Sequence, residues 1–226
     1  DVKITNTEVE GTFVVAKILD QEKNFLDLKL KTAGKHYVKN ATALLTLTAS
    51  LKLSPSKAIL ALGKWTPSAG RGQVSEIKFK NGNSQIAIHL IDESYNANPG
   101  SIRSSLETLA SIFTHKKNKC QHNRRIAVLG DMLELGSSEV KEHVDISKFA
   151  KLSRIDKIYC VGSRMRKLYD VLAFSKQGSW TETAQQMQNV LVNKLKNGDI
   201  VMIKGSFSMR MNTIVNELKR LNNLEY

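Results

Sequence analysis

From residue 73 onward, short apolar runs alternate with amphipathic segments, and this alternation restricts the chain to very few folds. Runs with strand character are Ser75 to Lys80, Gln85 to Ile91, Arg125 to Leu129, Lys157 to Val161 and Ile200 to Ile203. Helical periodicity marks Pro99 to Phe113, Ser138 to Leu152, Arg164 to Leu172, Glu182 to Leu195 and Met209 to Leu221. Buried strands joined by helices form a parallel sheet that is covered on both faces. The pattern therefore predicts a doubly wound α/β domain.

The residues before this region follow a different pattern. A β-rich run and a period-two alternation of leucines with polar residues predict a hairpin over residues 12 to 31. Two helices are expected next, one from Val38 to Leu51 and one that ends near Gly63. The second helix starts at Ser54 and Pro55, because serine caps a helix and proline suits its first turn.

The stretch between these two regions, Thr66 to Gly72, concentrates Pro, Ser and Gly. Such a composition is typical of a linker between domains. We place the boundary near Gly72, with one domain over residues 1–72 and a second over 73–226. The chain begins at Asp1 inside a strand-like pattern, so we expect it to be cut from a longer protein.

The amino-acid composition limits the kinds of partner that this chain is expected to bind. The net charge is +13, but the lysines are scattered over every segment, which favours a solvated surface over a nucleic-acid site. No apolar run approaches the roughly 18 residues that a membrane span needs. Two cysteines and no secretory leader fit a reducing, cytoplasmic setting.

Polar residues follow three of the predicted strands, in the stretches Ile91 to Pro99, Leu129 to Gly136 and Lys204 to Ser206. In open parallel sheets, ligands bind at the carboxyl ends of the strands. Each stretch also leads into a helix start, where free N–H groups attract anions. We therefore expect the three stretches to lie side by side and to form one site.

Single residues in these stretches allow two interpretations each. Asp92 is suited to accept from ribose hydroxyls, Tyr95 to stack on a base, and Asn96 and Asn98 to pair with polar ligand groups. The spacing equally predicts that Asn98 caps the helix that Pro99 opens and that Tyr95 is a packing residue. Likewise, Lys204 either binds an anionic ligand or is an ordinary surface lysine.

Several kinds of chemistry lack support in the sequence. The histidines and cysteines do not have metal-ligand spacing, so we predict no metal site built by this chain. A serine nucleophile elbow is absent. The pattern G-x-x-x-x-G-K-[ST] is also absent, because the segment from Gly130 to Gly136 contains no lysine.

The same stretches resemble motifs of the Mur ligase family, in the branch that adds D-alanyl-D-alanine. The matching strings are SYNANP at Ser94 to Pro99, VLGDMLELG at Val128 to Gly136, VMIKGS at Val201 to Ser206 and GKHYVKNA at Gly34 to Ala41. The resemblance covers nearly the whole chain. It implies that residues 1–72 are the end of the central ATP-binding domain and that residues 73–226 are the Rossmann-like C-terminal domain.

The resemblance also implies roles for individual residues. Asn40 would approach the adenine, Arg71 the ATP phosphates, and Asp92 the ribose, with Glu93 as the alternative. Tyr95 and Asn96 complete the predicted cofactor-binding set. The predicted substrate-binding residues are Asn98, Asp131, Lys204 and Ser206, and the predicted catalytic cations are Arg71 and Lys204.

By the same resemblance, the complete enzyme uses ATP and Mg²⁺ to activate the carboxylate of UDP-MurNAc-tripeptide, which the amine of D-alanyl-D-alanine then attacks. It would be a cytoplasmic monomer that binds neither nucleic acid nor membrane. The family's P-loop would precede residue 1, so this chain alone is expected to be inactive. The alternative is a non-catalytic half of a split or truncated ligase that binds a nucleotide or a partner.

Two positions depart from the family pattern. Tyr37 stands where the family has asparagine beside the histidine, and Phe207 with Ser208 replaces an Arg-Gly pair after the Lys-Gly-Ser motif. An arginine binds anions through two parallel hydrogen bonds, which phenylalanine cannot make.

Overall fold

The computed structural model describes residues 2–10, 13–20, 22–32, 34, 36–112 and 123–223. The chain divides into two compact units, one built mainly on residues 1–68 and the other on residues 69–110 and 116–226. The two units meet in the sequence between Ser68 and Ala69. Within the described ranges, no helix is both long enough and apolar enough to cross a membrane.

The first unit is a three-stranded antiparallel sheet with two helices. In chain order its elements are β1 (Lys3–Glu10), β2 (Phe13–Leu19), β3 (Phe25–Leu30), α1 (His36–Ser50) and α2 (Pro55–Lys64). Alternate residues of β2 and β3 are buried, as the period of two requires. The predicted hairpin is thereby confirmed, and β1 lies in the strand-like pattern with which the sequence begins.

The start of α2 confirms the prediction from its sequence. The Ser54 hydroxyl accepts a hydrogen bond from the backbone N–H of Lys57, and Pro55 occupies the first helical position. The helix ends at Lys64, where Trp65 adopts an extended conformation.

The second unit contains a six-stranded sheet whose order is β4-β5-β9-β6-β7-β8. Its elements are β4 (Gln73–Asn81), β5 (Ser84–Glu93), α3 (Pro99–Ser111), β6 (Arg125–Gly130), α4 (Glu139–Asp145), β7 (Lys157–Val161), α5 (Ser163–Val171), β8 (Gln177–Thr181), α6 (Ala184–Val192), β9 (Ile200–Lys204) and α7 (Asn212–Asn223). Strands β4 and β5 are antiparallel, and the other neighbouring pairs are parallel. The α/β fold class is therefore as predicted.

Strand β9, the last of these strands in the sequence, lies in the interior of the sheet between β5 and β6. All five residues of β9 are buried, which requires cover on both of its faces. Val201 and Ile203 belong to a core cluster that includes residues of α6 and α7. The alternate residues of β9 point to the opposite face.

Two local predictions in this unit were wrong. The segment from Ser138 to Leu152 is not one helix, because α4 passes into 3₁₀ turns that are separated by an extended Phe149. The extended backbone of Phe149 ends the first run of helical hydrogen bonds, and a second run begins at Ala150. Strand β8 was missed because its sequence, QGSWT, has neither an apolar run nor alternation.

The core of the second unit yields a matched stability test. Val215 on α7 is 1% exposed and Val171 on α5 is 51% exposed. Val215→Ala should lower the free energy of unfolding by about 2 kcal/mol more than Val171→Ala, because it removes two buried methyl groups and leaves a cavity. Both changes replace a helical valine by alanine, so urea unfolding of the two variants compares the same change at a buried and at an exposed position. Equal losses would contradict the assigned core.

Candidate functional site

The three motif-bearing loops begin at one edge of the sheet. Strand β9 lies between β5 and β6 and is parallel to both, with Lys204 in register with Glu93 on one side and Leu129 on the other. The carboxyl ends of three adjacent strands therefore coincide. This confirms the prediction that the three stretches lie side by side, and we call this edge the carboxyl edge.

Ser206 joins the loops that follow the three strands. Its backbone N–H donates to the carbonyl of Asp131 at 3.0 Å, and its hydroxyl accepts from the backbone N–H of Leu133 at 2.9 Å. The same hydroxyl donates to the carbonyl of Ala97 at 3.4 Å. Because Ser206 is buried, its hydroxyl serves to hold the loops together. Its predicted contact with substrate stays a prediction.

Lys204 is a buried cation, not the surface lysine of the alternative interpretation. Its side chain is 4% exposed, and its Nζ lies 3.4 Å from a carboxylate oxygen of Glu93 and 3.0 Å from the carbonyl of Asn96. Burial lowers the pKa of the Lys204 amine, while the Glu93 carboxylate acts in the opposite direction. Sequence reasoning did not identify Glu93 as this partner, although both residues end neighbouring strands.

Asp92 is buried and both of its carboxylate oxygens are bonded to groups of this chain. One oxygen accepts from the backbone N–H of Gly70 at 2.9 Å. The other accepts from the hydroxyl of Ser94 at 2.6 Å and from its backbone N–H at 3.1 Å. The carboxylate thus connects the end of β5 to the glycine-containing turn that precedes β4.

Arg71 lies in that turn and stacks on Tyr95. The centre of the Arg71 guanidinium is 4.0 Å from the centroid of the Tyr95 ring. The ring of Phe207 is 5.9 Å from the same tyrosine, at an interplanar angle of 58°. Tyr95 and Phe207 are 46% and 73% exposed, so an aromatic pair and a cation form an accessible surface at the carboxyl edge.

Asn98 caps α3, as the spacing of its sequence predicts. Its side-chain oxygen accepts from the backbone N–H of Ser101 at 2.8 Å, and the Ser101 hydroxyl accepts from the N–H of Asn98. The side-chain oxygen of Asn96 accepts from the N–H of the next residue, Ala97. Both asparagines are exposed, and their predicted ligand contacts stay predictions.

Asp131 caps a helix that begins in a different part of the sequence. Its carboxylate accepts from the backbone N–H groups of Arg164 at 3.2 Å and Met165 at 2.7 Å, at the start of α5. Gly162 lies against this carboxylate with φ at +103°, and an added Cβ would come within 2.5 Å of it. The charge also stabilises the positive end of the helix dipole. Its predicted role in substrate binding is a separate, open prediction.

A buried histidine holds the loop that follows β6. His143 is 0% exposed, and its Nε2 accepts from the backbone N–H of Met132 at 2.9 Å. Its Nδ1 lies 2.6 Å from the carbonyl of Glu139, which assigns the proton to Nδ1 and makes the ring neutral. The family resemblance places a histidine at this position, but sequence reasoning gave it no partner, because nothing in the chain marks which amide it meets.

Asn40 belongs to the first unit, so its surroundings are described within that unit. It lines a cavity of about 270 Å³ together with Tyr37 and Trp65, whose ring centroids are 5.2 Å apart. Among the described residues, no group of three or more His, Cys, Asp or Glu side chains is placed to hold a metal ion.

The sequence matches a known family. The profile "Mur ligase, glutamate ligase domain" matches residues 79–207. Among curated proteins, the UDP-N-acetylmuramoyl-tripeptide–D-alanyl-D-alanine ligase of Bacillus subtilis is 30% identical over 193 residues, or 82% of this chain and 38% of the relative. The corresponding ligase of Mycobacterium leprae is 29% identical over 204 residues, or 85% of this chain and 38% of the relative. The chain thus spans about two fifths of these relatives.

Solved structures have the same fold. MurF from Acinetobacter baumannii aligns with 97% of this chain and 45% of its own length, at a TM-score of 0.76 and 24% identity. The MurF ligase from Thermotoga maritima, solved in complex with ADP, aligns with 100% of this chain and 48% of its own length, at a TM-score of 0.76 and 19% identity.

Burial of Lys204 predicts a pH dependence of stability. Its pKa is lowered in the folded protein, so between that value and the ordinary 10.5 the unfolded chain binds more protons. The free energy of unfolding contributed by Lys204 should therefore rise with pH across this window. Lys204→Met removes this contribution, so the wild-type advantage over the variant should grow as pH increases toward 10.5.

Urea unfolding at a series of pH values measures this difference. Lys167→Met, at an exposed position of α5, is the control for loss of one positive charge. A wild-type advantage over Lys204→Met that stays constant with pH would contradict the desolvation of Lys204.

Proposed function

Since the chain belongs to the Mur ligase family, we propose that it is the C-terminal part of an ATP-dependent ligase that adds D-alanyl-D-alanine to UDP-MurNAc-tripeptide. The observation that carries the proposal is the meeting of the SYNANP, GDMLELG and KGS segments at one edge of the sheet. The curated relatives that match the chain are named as ligases of this specificity.

The domain assignment follows from the same proposal. Residues 1–72 would be the end of the central ATP-binding domain, and residues 73–226 the C-terminal domain. The complete enzyme would act in the cytoplasm on the precursor of the cell wall, as a monomer that needs neither nucleic acid nor membrane. The division of the chain into two compact units supports this assignment, because it falls near the proposed boundary, between Ser68 and Ala69.

Arg71 is the residue that we propose to act directly on the reacting groups. Negative charge develops on a phosphoryl group in transfer and on the tetrahedral intermediate of amide formation. A guanidinium held near that charge stabilises it, provided that the cation is fixed in position before the reaction. The stack of Arg71 on Tyr95 supplies such fixation at an exposed site.

Lys204 contributes to the reaction indirectly, through the loop that its side chain holds. Its ammonium is bonded to Glu93 and to the carbonyl of Asn96, so it holds the loop that carries Tyr95 and Asn96. Direct contact of Lys204 with substrate would require a ligand group to reach beneath this loop.

The residues of this chain fit part of an ATP site. ATP would supply the phosphoryl group that activates the tripeptide carboxylate, and Mg²⁺ would neutralise charge on the phosphates. The Asn40 cavity offers an amide and two aromatic rings, which suit a purine. Tyr95 and Asn96 are exposed at the carboxyl edge for further contacts, and Asp92 and Glu93 are the two candidates for the ribose. We propose that Mg²⁺ binds mostly outside this chain.

Substrate binding is proposed for the carboxyl edge as well. The exposed side chain of Asn98 can reach a peptide ligand while its oxygen caps α3. Asp131 and Ser206 are buried, so they would act on the substrate through the backbone of the loops that they hold. The aromatic Phe207 gives this surface an apolar part in place of the family's arginine.

A second candidate function is a non-catalytic half that binds a nucleotide or a partner chain. It is favoured by the absence of a P-loop sequence within the 226 residues. Under the main proposal, this chain alone is inactive and supplies one side of an active site.

Phosphate release separates these two functions. The full-length ligase that carries this sequence should release phosphate from ATP when both UDP-MurNAc-tripeptide and D-alanyl-D-alanine are present. Residues 1–226 alone should release none, because no group in them is suited to bind the β- and γ-phosphates in P-loop fashion. Turnover by the chain alone would defeat the assignment, and an inactive full-length protein that still binds nucleotide would favour the second candidate.

Removing the cation at the carboxyl edge should slow the reaction. In the full-length enzyme, Arg71→Ala should lower kcat at least about tenfold, because a charge-stabilising donor in the transition state is lost. Arg166→Ala is the control, since Arg166 also lies over an aromatic ring, that of Trp180, but on helix α5. Unchanged turnover of Arg71→Ala would remove Arg71 from the catalytic residues.

A further inference from the structure

We infer that Asp92 is a positioning residue that fixes Arg71, and that it does not bind the nucleotide. The inference deepens the proposed function and rests on it, since it assigns Asp92 a role in the same reaction. It decides between the two carboxylates that the sequence offers for contact with the ribose. The argument depends on the contacts of the turn formed by residues 70–72, which we call the Gly70–Gly72 turn.

Two bonds between backbone groups and one bond to a side chain hold this turn against the end of β5 and the residues that follow it. The side chain of Asp92 accepts from the N–H of Gly70 at 2.9 Å, and its carbonyl accepts from the N–H of Gly72 at 2.7 Å. The carbonyl of Gly70 accepts from the N–H of Tyr95 at 3.1 Å. The register continues into the sheet, where Gln73 pairs with Asp92. Residues on both sides of Arg71 are therefore tied to Asp92.

The conformation of the turn requires its glycines. Gly70 and Gly72 have φ values of +76° and +90°, which side-chain-bearing residues rarely adopt. A Cβ added at Gly70 would lie 2.9 Å from both the backbone nitrogen and the Cβ of Tyr95. Backbone atoms cannot yield as a flexible side chain can. The turn is thus closely fitted to the segment that carries Tyr95.

This fit determines where the Arg71 guanidinium lies. With its backbone held on both sides, the side chain stacks on Tyr95 at 4.0 Å. Arg71 is consequently part of the second unit, as the division of the chain after Ser68 also indicates. Of the linker predicted over Thr66 to Gly72, only the residues before Gly70 are then left outside this closely bonded turn. Arg71 and the carboxyl edge move as one body.

Asp92 itself has little capacity left for a ligand. It is 4% exposed, and its carboxylate already accepts from Gly70 and twice from Ser94. A carboxylate offers about four acceptor positions, so these bonds occupy most of them. A ribose hydroxyl would have to enter a buried space and either take the one position left or displace a present donor such as the N–H of Gly70. Breaking that bond would release the turn that positions the proposed catalytic cation.

Kinetics of Asp92→Asn distinguish positioning from nucleotide binding. The asparagine side chain has one accepting oxygen in place of two. Its NH₂ group would face a donor, the N–H of Gly70 or the groups of Ser94, that bonds a carboxylate oxygen in the wild type. In the full-length enzyme, kcat should fall about 10- to 100-fold with little change in KM for ATP, as expected for a displaced group. Activity with ATP and with 2′-deoxy-ATP or 3′-deoxy-ATP should fall by the same factor.

A double-variant cycle gives an independent kinetic readout. If Asp92 acts through Arg71, the variant with both Asp92→Asn and Arg71→Ala should be no slower than Arg71→Ala alone, within about threefold. Multiplied losses would show that Asp92 has a role of its own. Loss of discrimination between ATP and its deoxy analogues in Asp92→Asn alone would overturn the inference, because it would place Asp92 on the ribose.

Amide hydrogen exchange tests the clamp without any assay of activity. In the 226-residue chain, the N–H of Gly70 and of Tyr95 should exchange at least about tenfold faster in Asp92→Asn than in the wild type, since protection requires the hydrogen bond. Gly70→Ala should accelerate exchange at Tyr95 as well. Gly82→Ala is the matched control, because Gly82 also has positive φ, at +59°, but nothing within 4 Å of the added Cβ.

The two kinds of readout separate failure of the inference from failure of the proposed function. Unchanged exchange in Asp92→Asn, with a thermal midpoint that confirms folding, would overturn the clamp whatever the enzyme catalyses. A confirmed clamp in a full-length protein that does not ligate D-alanyl-D-alanine would refute the proposed function and leave Asp92 as the residue that fixes Arg71.

Discussion

The insertion of β9 between β5 and β6 is the constraint on which the carboxyl edge depends. Residues 200–204 form ladder hydrogen bonds with both neighbours, so the two earlier strands are held one strand apart and in a fixed register. The loop after β9 then begins between the other two loops. Ser206 can reach both of them only from this position, and its three hydrogen bonds fix loops that are far apart in the sequence.

The residues of the carboxyl edge fall into two groups: buried side chains that hold the loops in place, and exposed side chains that a ligand can reach. Five buried polar side chains each bond a backbone group in another segment: Asp92 to Gly70, Asp131 to the start of α5, Lys204 to Asn96, Ser206 to Leu133 and His143 to Met132. No buried side-chain N or O atom in the described parts of the chain lacks a hydrogen-bond partner. The exposed groups, Arg71, Tyr95 and Phe207, therefore stand on a surface whose loops are already ordered.

Prediction from sequence succeeded where one strong local pattern decided the outcome. Strand β7 spans Lys157–Val161 as predicted, because its continuous apolar run can only be buried. Strand β8 was missed because it lies at the edge of the sheet, where pairing with β7 is not accompanied by a hydrophobic signal. The helix predicted from Ser138 is broken at Phe149, whose extended backbone separates two 3₁₀ turns, a local change of conformation that helical periodicity does not report.

By itself, the sequence determined the α/β fold class, the cap of α3 at Asn98 and the three polar stretches that follow strands. These properties depend on neighbours in the chain, so periodicity and spacing record them. Only the tertiary structure decided that Lys204 pairs with Glu93, that Asp131 caps α5 and that Asp92 holds the turn of Arg71. The partners in these contacts come from different segments, and sheet order alone brings a carboxylate within reach of a particular amide.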